Sequence, residues 1–328
     1  MKKAPSLLWA AIALAGLAVF SFLVGRYPAA PLSSPWRLAG DSMGILLLRN
    51  VRAPRIVAAI MLGASLGASG FCFQMLFGNP LADPGILGVS QGAAFGASLG
   101  IIIAGGGSPI VQLLAGVFAF AGLSSSYAVA RRSRYGGWVL RLVLAGIAVS
   151  ALFSSGVGVL KLVADPLRQL PEITFWLLGG LSGATWKQTL SIAPIVAASL
   201  AIMMAMRWRL NVLSLEDATA FSLGAAPSRE RGIVLVAAVA AVASAVSISG
   251  IVGWVGLIVP QISRRLYGGD AQRSLPGSLL LGAIFTLACD DIARAALPGE
   301  IPLGIISSFL GAIVFMALMN ARGSKVER

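Results

Sequence analysis

The chain has 328 residues, of which 57% are hydrophobic and 11% charged, and its mean hydropathy is +0.88. Soluble domains carry roughly 25% charged residues, so this composition excludes an ordinary soluble protein and indicates a protein of the lipid bilayer. The formal net charge of +13 does not indicate nucleic-acid binding, because the basic residues gather at the ends of apolar segments, as they do in membrane proteins.

Ten apolar windows approach the roughly 20 residues that a helix needs to span the hydrocarbon core. We expect an all-α polytopic membrane protein that forms a single transmembrane domain over residues 1–328. The first window follows two lysines, but its apolar run is longer than that of a signal peptide, so we interpret it as a membrane helix. The windows are 7–25, 56–77, 86–104, 109–130, 138–162, 188–206, 231–250, 251–266, 275–296 and 302–320.

The two halves of the chain resemble each other weakly. Residues 66–85 and 247–269 each place Ser-Gly within an apolar run and end near a proline. Helices 2–5 and 7–10 would then form two four-helix repeats of inverted orientation, with the sixth helix between them. Glycine recurs at every fourth position over 88–100, which predicts a helix face that packs closely on a neighbour.

The distribution of positive charge predicts the topology. Sixteen of the 25 basic residues fall in segments that face the cytoplasm if both termini are cytoplasmic, as the positive-inside rule requires. Arg49, Arg52 and Arg55 crowd the opposite side, just before the second helix. Two explanations remain open for them: an acidic partner, or capping and snorkelling at a helix end.

The chain lacks the residues that several kinds of chemistry need. It has no histidine, and Cys72 and Cys289 both fall inside predicted helices, so metal sites and nucleophile–base pairs of the usual kinds are not expected. A phosphate-binding P-loop needs a Gly-Lys step, and the sequence contains none. We therefore expect no enzyme activity and no cofactor on this chain; ATP and Mg would belong to another chain.

Acidic residues give a gradient-driven transporter little to use. Only Asp290 and Asp291 fall within an apolar window, close to its end and near Arg294. Proton or ion coupling normally uses acids well inside the membrane. This alternative is accordingly disfavoured.

The longest polar segment between helices is 207–231. Ser214 followed by Asp217 has the spacing of a capping box, with Ser214 as N-cap, and Gly224 is a stop signal. We expect a short amphipathic helix on the cytoplasmic face. It either seals the bundle or, as we favour, docks a soluble partner.

Several motifs resemble the permease subunits of type II ABC importers, which carry iron–siderophore complexes, haem or cobalamin. They follow the family order over nearly the whole chain. The motifs are "QMLFGNPLADPGILGV" at 74–89, "RAPR" at 52–55, "FWLLGGLSGATW" at 175–186, the 213–224 segment, "GWVGLIVPQISRRL" at 253–266, Asp290 to Arg294, and "EIPLGIISSFLGA" at 300–312.

The resemblance implies a multi-pass permease of the bacterial inner membrane. It would pair with a second permease copy, most simply as a homodimer, and with two ATPase subunits and a substrate-binding protein. It implies binding-protein docking by Arg52, Arg55 and Arg294, and a cytoplasmic gate at Asn79, Pro80 and Leu81. The residues implied to couple to the ATPase are Ser214, Leu215, Glu216, Asp217, Phe221, Leu223 and Gly224.

The resemblance has two departures. The family usually has histidine after the proline at 260, and this chain has Gln261. The fifth helix begins with Trp138, where the cobalamin permease carries small hydroxyl residues. The substrate expected first is an iron–siderophore, with haem next and cobalamin as the alternative.

Overall fold

The computed structural model describes residues 6–25, 27, 42–133, 136–297 and 299–323, and most of them are helical. A π-helical turn, Leu48–Arg52, joins α2 to α3, and a 3₁₀ turn, Pro84–Leu87, precedes α4. The helices are α1 (Leu7–Ser21), α2 (Ser42–Leu47), α3 (Ala53–Phe77), α4 (Val89–Ala104), α5 (Pro109–Arg132), α6 (Trp138–Val163), α7 (Gln169–Leu178), α8 (Trp186–Ala205), α9 (Arg207–Leu213), α10 (Asp217–Ser222), α11 (Pro227–Ser249), α12 (Val255–Tyr267), α13 (Ala271–Ala295) and α14 (Leu303–Gly323).

Each predicted span overlaps one helix, and the prediction of an all-α polytopic membrane protein is confirmed. Within the described residues, seven helical segments are long and apolar enough to cross a membrane. Helices α1 and α4 are apolar but shorter, and α12 has only 13 residues. The count of ten spans is therefore approximate. Lys2, Lys3, Lys325 and Arg328, which contributed to the predicted topology, lie outside the described residues.

Local sequence signals set several helix starts. Ser108 precedes Pro109 at the start of α5, and its hydroxyl accepts a hydrogen bond from a backbone N–H of the first turn at 3.3 Å. Thr185 and Gln188 form a capping box at the start of α8, and Asp270 caps α13. Each cap satisfies a backbone donor that the helix itself leaves unpaired.

The central helix α3 packs on α11, α12 and α13, and it does so through glycine. A Cβ atom added to Gly63 would lie 2.2 Å from the carbonyl oxygen of Gly282, and one added to Gly282 would lie 2.2 Å from that of Gly63. The backbones of α3 and α13 are therefore in direct contact, as small residues permit in membrane helices. Cys72 of α3 and Cys289 of α13 are free and buried.

The glycine face over 88–100 packs α4 onto α5, as the sequence predicts. A Cβ atom on Gly92 would lie 2.2 Å from the carbonyl oxygen of Phe118, and one on Gly96 would lie 2.2 Å from that of Leu114.

The helix contacts also follow the two-repeat interpretation. Helix α3 contacts α12 and α13, and its counterpart α11 contacts α4 and α5.

Candidate functional site

Three groups of predicted residues occupy distinct places in the fold. The first is the arginine cluster, formed by Arg52, Arg55, Asp290, Asp291, Arg294 and Glu300. The second is the polar loop, residues 78–88. These two flank α3, whose 25 residues separate them by about 37 Å at 1.5 Å per residue. The third is the cytoplasmic segment 207–231 of the sequence prediction.

Arg55 is the centre of the arginine cluster. Its Nε lies 3.0 Å from both carboxylate oxygens of Asp290, and its Nη1 lies 2.7 Å from Oε1 of Glu300. The backbone N–H of Ile301 donates to the carbonyl of Ala293 at 3.2 Å, which holds the loop carrying Glu300 against the end of α13. The guanidinium of Arg55 thus binds two acids, Asp290 of α13 and Glu300 of the loop that follows α13.

Arg294 and Arg52 tie the same cluster to the end of α1. Arg294 lies 3.2 Å from Asp290 and also contacts Asp291, while its Nη1 donates to the carbonyl of Val24 at 3.3 Å. Asp291 in turn accepts a hydrogen bond of 2.6 Å from the hydroxyl of Ser21. Arg52 donates to backbone carbonyls after α1. The cluster therefore connects α1, α3 and α13.

The cluster is electrically balanced and largely buried. The relative exposures of Arg52, Arg55 and Arg294 are 6%, 4% and 8%, and that of Asp290 is 0%. Glu300 is different, because its side chain is 40% exposed. Buried charges are stable only when paired. The acidic partners of Arg55 and Arg294 thus lie within the chain, and Glu300 is the member that reaches solvent.

The polar loop begins where α3 ends. Gly78 has φ of +59°, a left-handed conformation that terminates the helix. The Asn79 side chain accepts a hydrogen bond from the backbone N–H of Leu81 at 2.9 Å, which forms a tight turn. Asn79 and Pro80 are exposed, and Leu81 is 50% exposed. The predicted gate residues therefore lie together at the tip of this loop.

Asp83 anchors the other half of the loop. Its Oδ1 accepts a hydrogen bond from the backbone N–H of Gly85 at 2.8 Å, and its carboxyl lies against Gly256 of α12. Burial raises the pKa of this carboxyl above its ordinary value, and the hydrogen bond from Gly85 opposes that change.

Gln261 fastens the polar loop to α12. Its amide Nε2 donates to the carbonyl of Pro80 at 3.2 Å, and its side chain is almost fully buried. Gln74 of α3 donates to the Leu257 carbonyl at 3.0 Å and accepts from Arg264. The amide of Gln261 therefore holds the turn at Pro80 in place. Sequence reasoning identified the replacement but not its partner.

The predicted helix of the cytoplasmic segment is present, but its predicted N-cap is wrong. Helix α10 begins at Asp217 with Glu216 as N-cap, and no side chain caps it. Ser214 instead ends α9, and its hydroxyl donates to the carbonyl of Asn211 at 2.8 Å. Because α9 continues to Leu213, Ser214 keeps a helical backbone (φ −78°, ψ −10°), which does not suit an N-cap.

Gly224 does end the short helix, as predicted. Its φ is +77°, and the N–H groups of Gly224 and Ala225 donate to the carbonyls of Phe221 and Ala220, which is a Schellman motif.

Three apolar side chains project from this segment: Leu215, Phe221 and Leu223 are 43%, 73% and 55% exposed. We call them the apolar knob. Arg231 supports the knob from α11, because it donates to the carbonyl of Leu213 at 2.9 Å and lies 2.5 Å from Asp217. The sequence analysis missed this role of Arg231.

Comparisons with known proteins agree over nearly the whole chain. The sequence profile of the FecCD transport family matches residues 11–321. A permease protein of Helicobacter pylori named for an iron chelatin transport system is 38% identical over 281 residues, covering 85% of this chain and 83% of that protein. The permease protein MolB of Haemophilus influenzae, named for molybdate import, is 35% identical over 319 residues, covering 92% of this chain and 91% of that protein.

A solved structure extends the likeness to the fold. It is described as a metal-chelate type ABC transporter in an inward-facing conformation, is 35% identical, and matches with a TM-score of 0.88 over 96% of this chain and 98% of that one. The fold of this chain is thus shared with a known transporter over nearly its whole length. The chain belongs to the FecCD transport family of ABC importer permeases.

Proposed function

We propose that the chain imports a metal chelate across the bacterial inner membrane, with an iron–siderophore as the first candidate substrate and haem as the next. The observation that carries this proposal is the likeness, over 96% of the chain, to a transporter of the metal-chelate type. A relative named for molybdate import is nearly as similar as one named for an iron chelatin, so the substrate assay must include molybdate and cobalamin.

The proposed complex contains two copies of this chain, two ATPase subunits and a substrate-binding protein. Uptake should require ATP that is hydrolysed by the partner ATPase, because the P-loop signature is missing from this chain. The test is uptake into proteoliposomes that contain the permease with its ATPase, supplied with loaded binding protein. Uptake that needs ATP and continues after the proton gradient is collapsed supports the proposal, whereas uptake without nucleotide contradicts it.

Docking of the binding protein is proposed at the arginine cluster. Because internal acids already neutralise Arg55 and Arg294, a carboxylate of the binding protein must replace one of these acids. Asp290 is inaccessible, and Glu300 is the partly exposed partner of Arg55. We infer that the carboxylate of the binding protein exchanges with Glu300.

This exchange predicts that one substitution in the cluster strengthens the affinity for the binding protein instead of weakening it. Glu300→Gln should tighten binding of the binding protein, because the competing charge is lost, by up to about fivefold for a partly exposed pair worth ~1 kcal/mol. Glu172→Gln is the matched control, since Glu172 is also exposed but accepts only a backbone hydrogen bond from Gly106. Weaker or unchanged binding by the Glu300 variant would argue against the exchange.

Coupling to the ATPase is proposed at the apolar knob. Exposed apolar side chains on a polar segment mark an interaction site, and the Arg231 contacts and the Schellman motif hold these ones in a fixed geometry. Phe221→Glu should release the ATPase during purification of the complex. Thr219→Glu is the control, because Thr219 is exposed on the other side of α10. Equal ATPase recovery with both variants would remove the coupling role.

Gating is proposed at the tip of the polar loop. Asn79, Pro80 and Leu81 of each copy would meet at the cytoplasmic mouth and close it. Gln261 would hold each tip on α12, so that a movement of α12 is passed to the gate. The short contact between Arg264 and Gln74 joins α12 to α3 in the same unit.

A further inference from the structure

An apolar groove runs between α8 and α11 on the surface of the bundle. It has a volume of about 720 Å³, which is in the range of small-molecule sites. Pro194, Ile195 and Ile202 line it on α8, and Gly232 and Val236 line it on α11. Both helices are apolar enough to cross a membrane, so the groove opens into the hydrocarbon layer.

A positive charge closes one end of the groove. Arg229 lines it at the first turn of α11 and is exposed. From Arg229 to Ala240, the last lining residue, α11 rises about 17 Å, close to half of the roughly 30 Å hydrocarbon thickness. The neighbouring acid, Glu230, forms an ion pair with Arg209 instead, and its Oε2 lies 3.9 Å from Nε of Arg209. The groove therefore combines the length of one leaflet with a cation at its polar end.

We propose that this groove binds an anionic phospholipid, with an acyl chain between α8 and α11 and the headgroup phosphate on Arg229. The charge bias of the sequence places the Arg229 end on the cytoplasmic side, where anionic headgroups attract basic residues. Apart from Ser199 and Arg229, the lining is hydrocarbon or glycine. Such a lining suits an acyl chain and offers a protein partner almost no hydrogen bonds.

Gly232 leaves room in the groove for an acyl chain. A Cβ atom added there would meet nothing within 4 Å, although the residue lies in the first half of a well-packed helix. A larger side chain at this position can therefore fill the groove without disturbing the protein. Gly116 of α5 is a matched control, because a Cβ atom there also meets nothing within 4 Å.

The test is native mass spectrometry of the purified permease complex, with phosphatidylglycerol and phosphatidylethanolamine added in equal amounts. The unchanged protein should retain phosphatidylglycerol about fivefold better than phosphatidylethanolamine, as ~1 kcal/mol per basic residue implies. Arg229→Gln should abolish that preference, and Arg132→Gln, at the end of α5, should not. Gly232→Leu should reduce retention of both lipids, and Gly116→Leu should not.

Three outcomes would overturn the proposal. The first is an unchanged preference for phosphatidylglycerol in the Arg229 variant. The second is unchanged lipid retention in the Gly232 variant. The third is a changed number of permease copies in the Gly232 variant, which would make the groove a protein interface. Thermal unfolding of both variants, compared with that of their controls, establishes that they are folded.

Discussion

Removing Arg55 should destabilise the permease far more than removing a neighbouring arginine. Arg55→Met keeps much of the side-chain volume but leaves Asp290, which is 0% exposed, without its bidentate partner. Removing one member of a buried ion pair costs about 3–5 kcal/mol. Arg294 still lies 3.2 Å from Asp290, so we expect the lower end, about 3 kcal/mol. Arg49 is exposed in the preceding turn, and Arg49→Met should change stability by less than about 0.5 kcal/mol.

The measurement is the apparent melting temperature in detergent, taken at one scan rate because membrane proteins of this size unfold irreversibly. At about 2 °C per kcal/mol for a large domain, Arg55→Met should melt about 6 °C lower, while Arg49→Met should not shift. Glu300→Gln should also shift little, since its side chain is 40% exposed. Equal melting temperatures for the two arginine variants would refute the view that Arg55 neutralises a buried charge.

Three further predictions follow from contacts described above. Gly282→Ala should destabilise the α3–α13 pair by about 1–3 kcal/mol, because its Cβ would lie 2.2 Å from the carbonyl oxygen of Gly63; Gly116→Ala is the control, and equal melting temperatures would contradict the close packing. Gln261→Leu should let substrate leak through proteoliposomes without ATP, and Gln261→His, which keeps a donor, should stay tight; leakage by both would contradict the anchoring role. Burial raises the pKa of Asp83, so the folded protein binds this proton more tightly than the unfolded one and loses stability as pH rises through that pKa. Asp83→Asn should melt higher than the unchanged protein at pH 8 and equally below about pH 4, and a pH-independent difference would contradict the shift.

Sequence patterns predicted what depends on local or periodic signals. Each hydropathy window overlaps one helix of the described residues, and the glycine spacing over 88–100 predicted a closely packed face on α4. The Ser214 cap failed because the pattern carries no information about how far the preceding helix extends. The segment after it was still identified, since Gly224 acts through its own backbone conformation.

Contacts between side chains that are far apart along the chain could not be predicted from the sequence. Arg55 and Asp290 are 235 positions apart, and no local pattern indicates that they meet. The arginines were noted as charges on the unexpected side of the membrane, with an acidic partner as one explanation. The acids that the structure places on Arg55 belong to the same chain. Gln261 is a similar case, because its identity was read from the sequence while its contact with Pro80 depends on the packing of α12 beside α3.

The separation of these charges along the chain has a consequence for biosynthesis. At about 5–20 residues per second, the ribosome adds Asp290 roughly 10 to 50 seconds after Arg55. During that interval α1 and α3 are available for insertion, while Asp290 and Glu300, which neutralise Arg55, do not yet exist. Arginines near a helix end can reach the membrane interface with their charged groups, so we expect Arg55 to stay at that interface until α13 has been inserted. The burial of Arg55 is therefore one of the last steps of assembly, and a chain that stops before α13 would leave this charge facing the interface.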